Sequence, residues 1–301
     1  VPITDRPFVD APVGDPAAAG AFARHVAREL GLPTPSLLRV GMNASFRAGA
    51  VVLRIGRPSA PPEGAVDLAS RLRTHGLSVP RSAGAPWRGP DGLVATIWEW
   101  IEPIDRPVDW SEVGRQVRRL HDLDPVDVVP DGHPCPRPDR FPWWDFDTML
   151  AEVSDLLDAE ARRGIERTCE RHASWRSTLG DGAVLCHGDV HPGNVLATAD
   201  RVVLLDWDLL CRAPRAWDLG ALATLHERWG GDPTVLGEFI RGYGEDLTLD
   251  PRAAAYAELR LVAATLLRLR AGRRDPAAAA EAARRLRWWR GDPDAPIWVA
   301  Q

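Results

Sequence analysis

Cys186-His187-Gly188-Asp189-Val190-His191-Pro192-Gly193-Asn194, followed by Asp206-Trp207-Asp208, decides how this 301-residue chain is read. The two segments put an Asp, an Asn and a second Asp on two short loops. Val184-Leu185 leads into the first loop and Val202-Val203-Leu204-Leu205 leads into the second; both apolar runs read as short buried strands joined through a hairpin. Phosphoryl transfer from a nucleotide needs this set of groups: one carboxylate to take a hydroxyl proton, and an amide with a carboxylate to hold magnesium. Asp189 is the candidate base. Asn194 and Asp206 are the candidate magnesium ligands, because Mg²⁺ takes one or two carboxylates with phosphate oxygens and water. A carboxylate at the end of an apolar strand is costly unless something compensates it, and a metal ion would. Asp208 reaches a second metal or caps the following turn. His187 braces the loop backbone. A transition-metal site from Cys186, His187, Asp189 and His191 competes with this reading, but the spacings match no finger or helix pattern.

Composition bounds the rest. Apolar content of 45% and charged content of 26% belong to a globular chain large enough for two lobes. No apolar run approaches the roughly 20 residues of a membrane span, and residues 1–16 lack a basic-then-apolar leader pattern. A cytoplasmic protein, monomer or dimer, is expected, with no membrane partner. The net charge of −5 and the lack of a basic, aromatic-interleaved stripe argue against nucleic acid. Four scattered cysteines read as free thiols. The chain has no lysine: all 37 of its basic residues are arginine. Any task usually given to lysine falls to arginine or goes unfilled.

Outward from the motif, the pattern divides near residue 101. Before it, Asp15-Pro16 caps a helix to about residue 30. Strands are expected at 36–41, 45–48, 50–55, 79–83 and 93–100, with a helix at 63–75. After it, helices are expected at 109–121, 144–158, 161–175, 216–228, 234–243, 252–270 and 276–290, with a Pro-rich link at 125–142. The expected fold class is α+β, with residues 1–101 a small antiparallel-sheet lobe and residues 102–301 a larger helical lobe.

His187-Gly188-Asp189 to Asn194 has the D-x-x-x-x-N spacing of the kinase catalytic loop. With Leu205-Asp206-Trp207-Asp208 and Trp217-Asp218-Leu219-Gly220 after it, the chain resembles the aminoglycoside phosphotransferase family, a branch of the protein-kinase-like fold. That family includes antibiotic, choline and small-metabolite kinases. The resemblance implies a two-lobed, magnesium-dependent kinase that uses ATP or GTP and phosphorylates a hydroxyl of a small-molecule acceptor. It implies that Asp218 braces the active-site loops. An antibiotic or related natural product is the implied acceptor; a sugar or amino alcohol of primary metabolism, or a nucleotide-binding pseudokinase with a regulatory role, are the alternatives.

The first lobe can be read in the same light. The turn Gly41-Met42-Asn43-Ala44-Ser45 offers backbone N–H groups and the side chains of Asn43 and Ser45 to phosphates. In strand Val51-Val52-Leu53-Arg54-Ile55, alternation projects Arg54 opposite Leu53 and Ile55. The resemblance implies a phosphate-holding lysine on this strand, and Arg54 stands there instead. Arginine keeps the charge and can fork onto phosphate, but it is larger than lysine. The family's acidic partner for that cation is expected at Asp67, with Glu63 one helical turn before it as the other candidate. Trp98-Glu99-Trp100-Ile101 matches the hinge whose backbone, at Glu99 and Ile101, bonds the purine edge. For the acceptor, Asp145 and Asp147 beside Trp143-Trp144, and Glu227 and Trp229, combine carboxylates with aromatic faces, as a sugar-like or cationic ligand would want.

Overall fold

The computed structural model describes residues 6–299. In chain order the elements are α1 (Pro16–Glu29), β1 (Ser36–Val40), β2 (Ala44–Ala48), β3 (Val51–Gly56), α2 (Glu63–Thr74), β4 (Ser82–Arg88), β5 (Val94–Glu99), α3 (Trp110–His121) and α4 (Pro125–Val128). There follow α5 (Phe146–Glu152), α6 (Ala159–Arg171), β6 (Val184–Cys186), β7 (Val195–Ala197), β8 (Val202–Leu204) and β9 (Cys211–Ala213). The chain closes with α7 (Leu225–Trp229), α8 (Thr234–Tyr243), α9 (Ala253–Gly272) and α10 (Pro276–Trp289). No helix among the described residues is long and apolar enough to cross a membrane.

Two compact units result. The first takes the described residues through Asp109, together with Asp122–Pro136 and Pro192–Cys211. The second takes Trp110–His121, Arg137–His191 and the described residues from Arg212 onward.

In the first unit, an antiparallel five-stranded sheet has the order β1-β2-β3-β5-β4. Register puts Phe46 beside Leu53 and Leu53 beside Ile97, so these three share one face. Helix α1 covers that face. Its buried residues Ala19, Phe22, Ala23, Val26 and Ala27 follow the three-and-four spacing of an amphipathic helix. Asp15 accepts the Ala17 N–H and Pro16 opens the helix, as their identities predict. Each large side chain buried in this layer stabilises the unit by about 1.5–3 kcal/mol. The strand expected at 79–83 forms later, as β4. Its irregular register around Gly84, and Pro86 without an N–H, suit the sheet edge it occupies. The β7–β8 hairpin belongs to this unit, and the Leu204 N–H bonds the Ser78 carbonyl.

The second unit is helical, with β6 and β9 as a two-stranded sheet. Helices α3 and α8 cross at glycines. A Cβ on Gly242 would lie 1.9 Å from the Ser111 carbonyl oxygen, and one on Gly114 would lie 2.2 Å from that of Phe239. The helix expected at 216–228 breaks into 3₁₀ turns, Arg215–Leu219 and Leu222–Thr224, before α7. Trp217 and Asp218 are both buried in the first turn, and Asp218 bonds to another loop rather than to its own helix. The helix expected at 144–158 likewise shortens to α5 and a 3₁₀ turn, Ser154–Leu156.

Candidate active site

The polar face of the first unit's sheet carries one cluster of candidate groups. Ser45, Arg54 and Thr96 are aligned across β2, β3 and β5. From this row the Arg54 guanidinium forks onto Asp208: Nη1 donates to Oδ1 at 2.8 Å and Nη2 to Oδ2 at 2.7 Å. Nη2 also donates to Asp206 Oδ1 at 2.7 Å. Asn43 Nδ2 completes the cluster by donating to Asp208 Oδ2 at 2.8 Å. Gly56 permits this approach, because a Cβ there would fall 2.1 Å from Asn43 Oδ1. Burial works against a charged guanidinium, but the Asp208 and Asp206 carboxylates outweigh it and raise the Arg54 pKa. Of the two acids, Asp208 is the buried one and Asp206 is exposed. At Asp208, burial pushes the carboxyl up; Arg54 opposes this, and the neighbouring Asp206 charge adds to it. The trio is a forked ion pair with strong mutual dependence.

The β7–β8 hairpin delivers the remaining groups. Val195 pairs with Leu204, and the Leu205 N–H bonds the Asn194 carbonyl at 2.9 Å. Buried Asn194 is thereby tied to the strand end that leads into Asp206. Asp206 adopts φ 59° and ψ 75°, a left-handed conformation rare outside glycine but tolerated by Asp. Asn194, Asp206 and Asp208 are hard oxygen donors of the kind Mg²⁺ takes. A positive group, the Arg54 guanidinium, already bridges the two carboxylates. These residues fit a divalent cation held together with phosphate.

Arg54 is not paired with Asp67, contrary to the expectation. Asp67 accepts from Arg71 one turn along α2 at 3.1 Å, and Glu63 forms a two-bond pair with Arg88. The longer arginine reaches the carboxylates after β8 instead. At the expected hinge, the Glu99 N–H bonds the Arg81 carbonyl and the Trp100 N–H bonds the Ala50 carbonyl. Half-buried Ile101 follows.

The second unit carries the candidate base. Gly188, at φ 85°, turns the chain between His187 and Asp189. Asp218 supports this turn from below: Oδ2 accepts the His187 N–H at 2.9 Å and Oδ1 accepts the Gly188 N–H at 2.7 Å. His121 Nε2 lies 3.0 Å from Asp218 Oδ2, and its Nδ1 lies 2.8 Å from the Tyr243 hydroxyl, to which Arg215 donates. The Asp218 carboxylate can only accept, so His121 Nε2 carries a proton toward it. Burial raises the Asp218 pKa, but the His121 hydrogen bond and the charges of His121 and His187 bring it below the ordinary value. The Asp189 N–H reaches His187 Nδ1 at 3.3 Å. Asp189 Oδ1 accepts from Arg260 Nη1 at 3.0 Å, and Oδ2 lies 3.3 Å from His191 Nε2. Burial disfavours its ionised form, yet His191, Arg260 and His187 hold the carboxyl well below the usual carboxylate range. Asp189 is an ionised carboxylate with a fixed orientation.

A ring nitrogen of His121, the Cys186 sulfur and a carboxylate oxygen of Asp218 lie within 4.8 Å of one another. Both ring nitrogens of His121 are engaged as above, and Cys186 Sγ contacts the Ala213 carbonyl at 3.4 Å. This is a hydrogen-bonded brace.

The expected acceptor residues are dispersed. Asp145 caps α5, accepting from the Thr148 N–H and hydroxyl. Asp147 and Glu227 are exposed on α5 and α7. Trp229 packs edge-on to Trp298 under the Arg285 guanidinium, in the C-terminal core. Trp144 is buried against Trp217 and Trp175. The residue that sequence reasoning missed is Arg260. Its signal was present: helical spacing puts it on the buried stripe of α9 with Tyr256, Ala257 and Ala263, where a charge needs a reason.

A five-stranded antiparallel sheet in one unit, and a helical unit bearing a braced Asp loop in the other, define a kinase-like fold. The phosphotransferase enzyme family (APH) model matches residues 43–262, well over half of the chain, and the chain belongs to that family. No curated protein matches it. Among solved structures it is similar to the spectinomycin phosphotransferase APH(9)-Ia in complex with ADP and spectinomycin, at 16% identity and TM-score 0.66, covering 88% of this chain and 94% of that one. It is similar to the amicoumacin kinase hAmiN with AMP-PNP, Ca²⁺ and Ami, at 14% identity and TM-score 0.65, covering 93% and 97%. A choline/ethanolamine kinase family protein from Mesorhizobium loti matches at 20% identity and TM-score 0.61, covering 92% and 95%.

Proposed function

We propose that the protein is a small-molecule O-phosphotransferase that moves the γ-phosphoryl group of ATP or GTP to a hydroxyl of an antibiotic or related natural product. The observation that carries this reading is the cluster in which Arg54 bridges Asp206 and Asp208 beside Asn43. A pair of carboxylates, one buried and one open to solvent, held by one guanidinium is a site built around exchange of positive and negative charge. Arg54 takes the lysine's task of holding phosphate oxygens, and Asn43 and Ser45 steady them from the β1–β2 turn. Asn194 and Asp206 would hold magnesium, with Asp208 in support. Magnesium, when bound, supplies neutralisation of the charge that builds on the phosphoryl oxygens. Glu99 and Ile101 present backbone to the purine.

The second unit supplies the base. Asp189 takes the acceptor's hydroxyl proton as that oxygen bonds the γ-phosphorus and the bond to the departing nucleoside diphosphate breaks. Its low proton affinity suits a late proton transfer: the carboxylate orients the hydroxyl, and the proton moves once the oxygen has become acidic. Rate comes from positioning and from charge neutralisation rather than from a covalent enzyme intermediate. His187 and Asp218 hold the loop.

Solved neighbours that bind adenine nucleotides and antibiotics support the nucleotide and the acceptor class, and the choline/ethanolamine kinase family neighbour keeps amino alcohols within the panel to be tested. The test is a panel of hydroxyl compounds with ATP or GTP and magnesium, read as phosphorylated product by mass. Products 80 Da heavier, roughly the mass of one added phosphoryl group, are expected. Nucleotide binding with no product from any compound would leave a regulatory pseudokinase and reject this reading.

A further inference from the structure

Arg54 has no counter-charge on helix α2. There Asp67 accepts from Arg71, and Glu63 is taken by Arg88. Its negative partners among the described residues are Asp206 and Asp208, the carboxylates that the proposed function places at magnesium. Asp208 is filled: Oδ1 accepts from Nη1, and Oδ2 accepts from both Nη2 and Asn43 Nδ2. Asp206 Oδ1 accepts from the same Nη2 at 2.7 Å, whereas its Oδ2 has no donor among the described residues. The Asp206 side chain is 43% exposed and that of Asp208 9%. These bonds leave the Arg54 Nε–H and one Nη1–H with no acceptor among the described residues.

A guanidinium and a divalent cation bind carboxylates through the same oxygens, so here they compete. The groups that act on Asp208 are Arg54, Asp206 and Asn43. Together these four groups carry a single negative charge. Without the guanidinium the two carboxylates would repel each other across one nitrogen's width, and a doubly negative oxygen cluster is what a divalent ion takes. The family resemblance implies a cation on β3 that pairs with an acid on α2 and leaves the metal carboxylate independent of it. Here one arginine serves both. A phosphate meeting the two open N–H bonds gives the guanidinium another anion and brings its own oxygens to the metal.

We propose that Arg54 is the internal counter-cation of Asp206 and Asp208, and that it competes with divalent metal for them, so that metal loads with nucleotide and not before it. The inference rests on the reading of Asp206 as a magnesium ligand and deepens it. Asp208, whose oxygens are engaged, serves the arginine; Asp206, with an open oxygen, serves the metal. Removing the guanidinium charge therefore creates a metal site that needs no nucleotide.

Equilibrium dialysis measures Mn²⁺ held by the protein, first without nucleotide and then with ADP in both chambers. Wild type, Asp206→Asn, Arg54→Ala, Arg54→Gln and the double variant Arg54→Ala with Asp206→Asn are compared, with thermal unfolding as a check on folding. Without nucleotide, Arg54→Ala should bind Mn²⁺ at least about tenfold more tightly than wild type, which is what removing a unit charge about 5 Å from a divalent ion gives even at the dielectric of water. Its Tm, lowered because Asp208 is left unpaired, should rise on adding Mg²⁺, while the wild type's stays put. Arg54→Gln should show the same gain and carries the comparison if the alanine variant does not fold. Adding Asp206→Asn should abolish the gain. Nucleotide-free wild type that binds Mn²⁺ as tightly as Arg54→Ala and loses it in Asp206→Asn overturns the inference. So does no gain on removing the guanidinium, or a gain that survives Asp206→Asn. With ADP, wild type should hold Mn²⁺ and Asp206→Asn should hold it more weakly. Failure of that arm rejects Asp206 as the metal ligand, and the inference with it; success there without a gain in the Arg54 variants rejects the inference and leaves the proposed function standing.

Discussion

Replacing Asp218 with Asn keeps its shape and removes its charge, and the structure dictates the damage. Three donors converge on this fully buried carboxylate: the His187 and Gly188 N–H groups and His121 Nε2–H. An Asn offers one acceptor oxygen and one NH₂. If the NH₂ takes the Oδ1 position, it faces the Gly188 N–H. If it takes the Oδ2 position, it faces two donors. The better orientation still strands two buried donors, the Gly188 N–H and the new NH₂, at about 1–3 kcal/mol each, for a loss of about 2–6 kcal/mol. Urea unfolding followed by tryptophan fluorescence measures this directly, since Trp217 adjoins the site. The folded pKa of Asp218 is depressed. Its contribution is therefore present above the unfolded carboxylate range and is lost as pH falls through the folded value, so the deficit of Asp218→Asn should shrink in acid. Because the same carboxylate seats the loop carrying Asp189, kcat should fall at least about tenfold while nucleotide affinity barely moves. A stability change below about 0.5 kcal/mol together with wild-type kcat would refute the bracing argument.

Three further outcomes are expected. His133 is buried against Phe8 with an unpartnered Nδ1, and burial lowers its pKa to about 4 despite the opposing charge of Asp67. A histidine depressed from about 6.5 loses stability as pH falls from about 6.5 to 4, amounting to about 3 kcal/mol. His133→Leu should remove that part of the acid sensitivity, and parallel stability curves for the two proteins would refute it. Gly242→Ala drives a Cβ into the Ser111 carbonyl oxygen, which is backbone and cannot swing aside. It should cost about 3 kcal/mol, and a Tm unchanged by calorimetry would show that α3 and α8 do not cross so closely. Arg54→Ala should weaken ATP binding by calorimetry about 10-fold to 100-fold, the worth of a charge-assisted fork, with Arg54→Lys intermediate; equal affinity in the alanine variant would remove Arg54 from the phosphates.

The fold was legible because its strands and helices obey local rules. Asp15-Pro16 starts α1, the alternation of 51–55 separates Arg54 from the core, and α8 forms over the residues its apolar spacing marks. Boundaries failed where tertiary demands overrode local pattern. Residues 216–228 have helical composition, but burying Trp217 and committing Asp218 to a distant loop breaks the helix into tighter turns. On the candidate site, the motif loops named the groups that carry charge, but not who pairs with whom. The family resemblance suggested Asp67 for Arg54. The pairing with Asp206 and Asp208 spans more than a hundred residues, and no local rule reports it. Arg260 was missed because one of three arginines in an alanine- and leucine-rich helix reads as a solvated face unless its phase on the helix is counted. The acceptor residues were chosen for chemistry alone, and Trp229 shows the weakness of that choice: its partners, Trp298 and Arg285, belong to α10 and the chain end beyond it.

The central claim is that the carboxylate of Asp189 receives the acceptor's proton. Single-turnover phosphoryl transfer by Asp189→Asn, with ATP and the best acceptor of the panel, tests it most directly. The account predicts a rate lowered about 10²-fold to 10⁴-fold, with ATP affinity within about threefold of wild type because the proposed phosphate and metal ligands lie in the other unit. Transfer at the wild-type rate would contradict it.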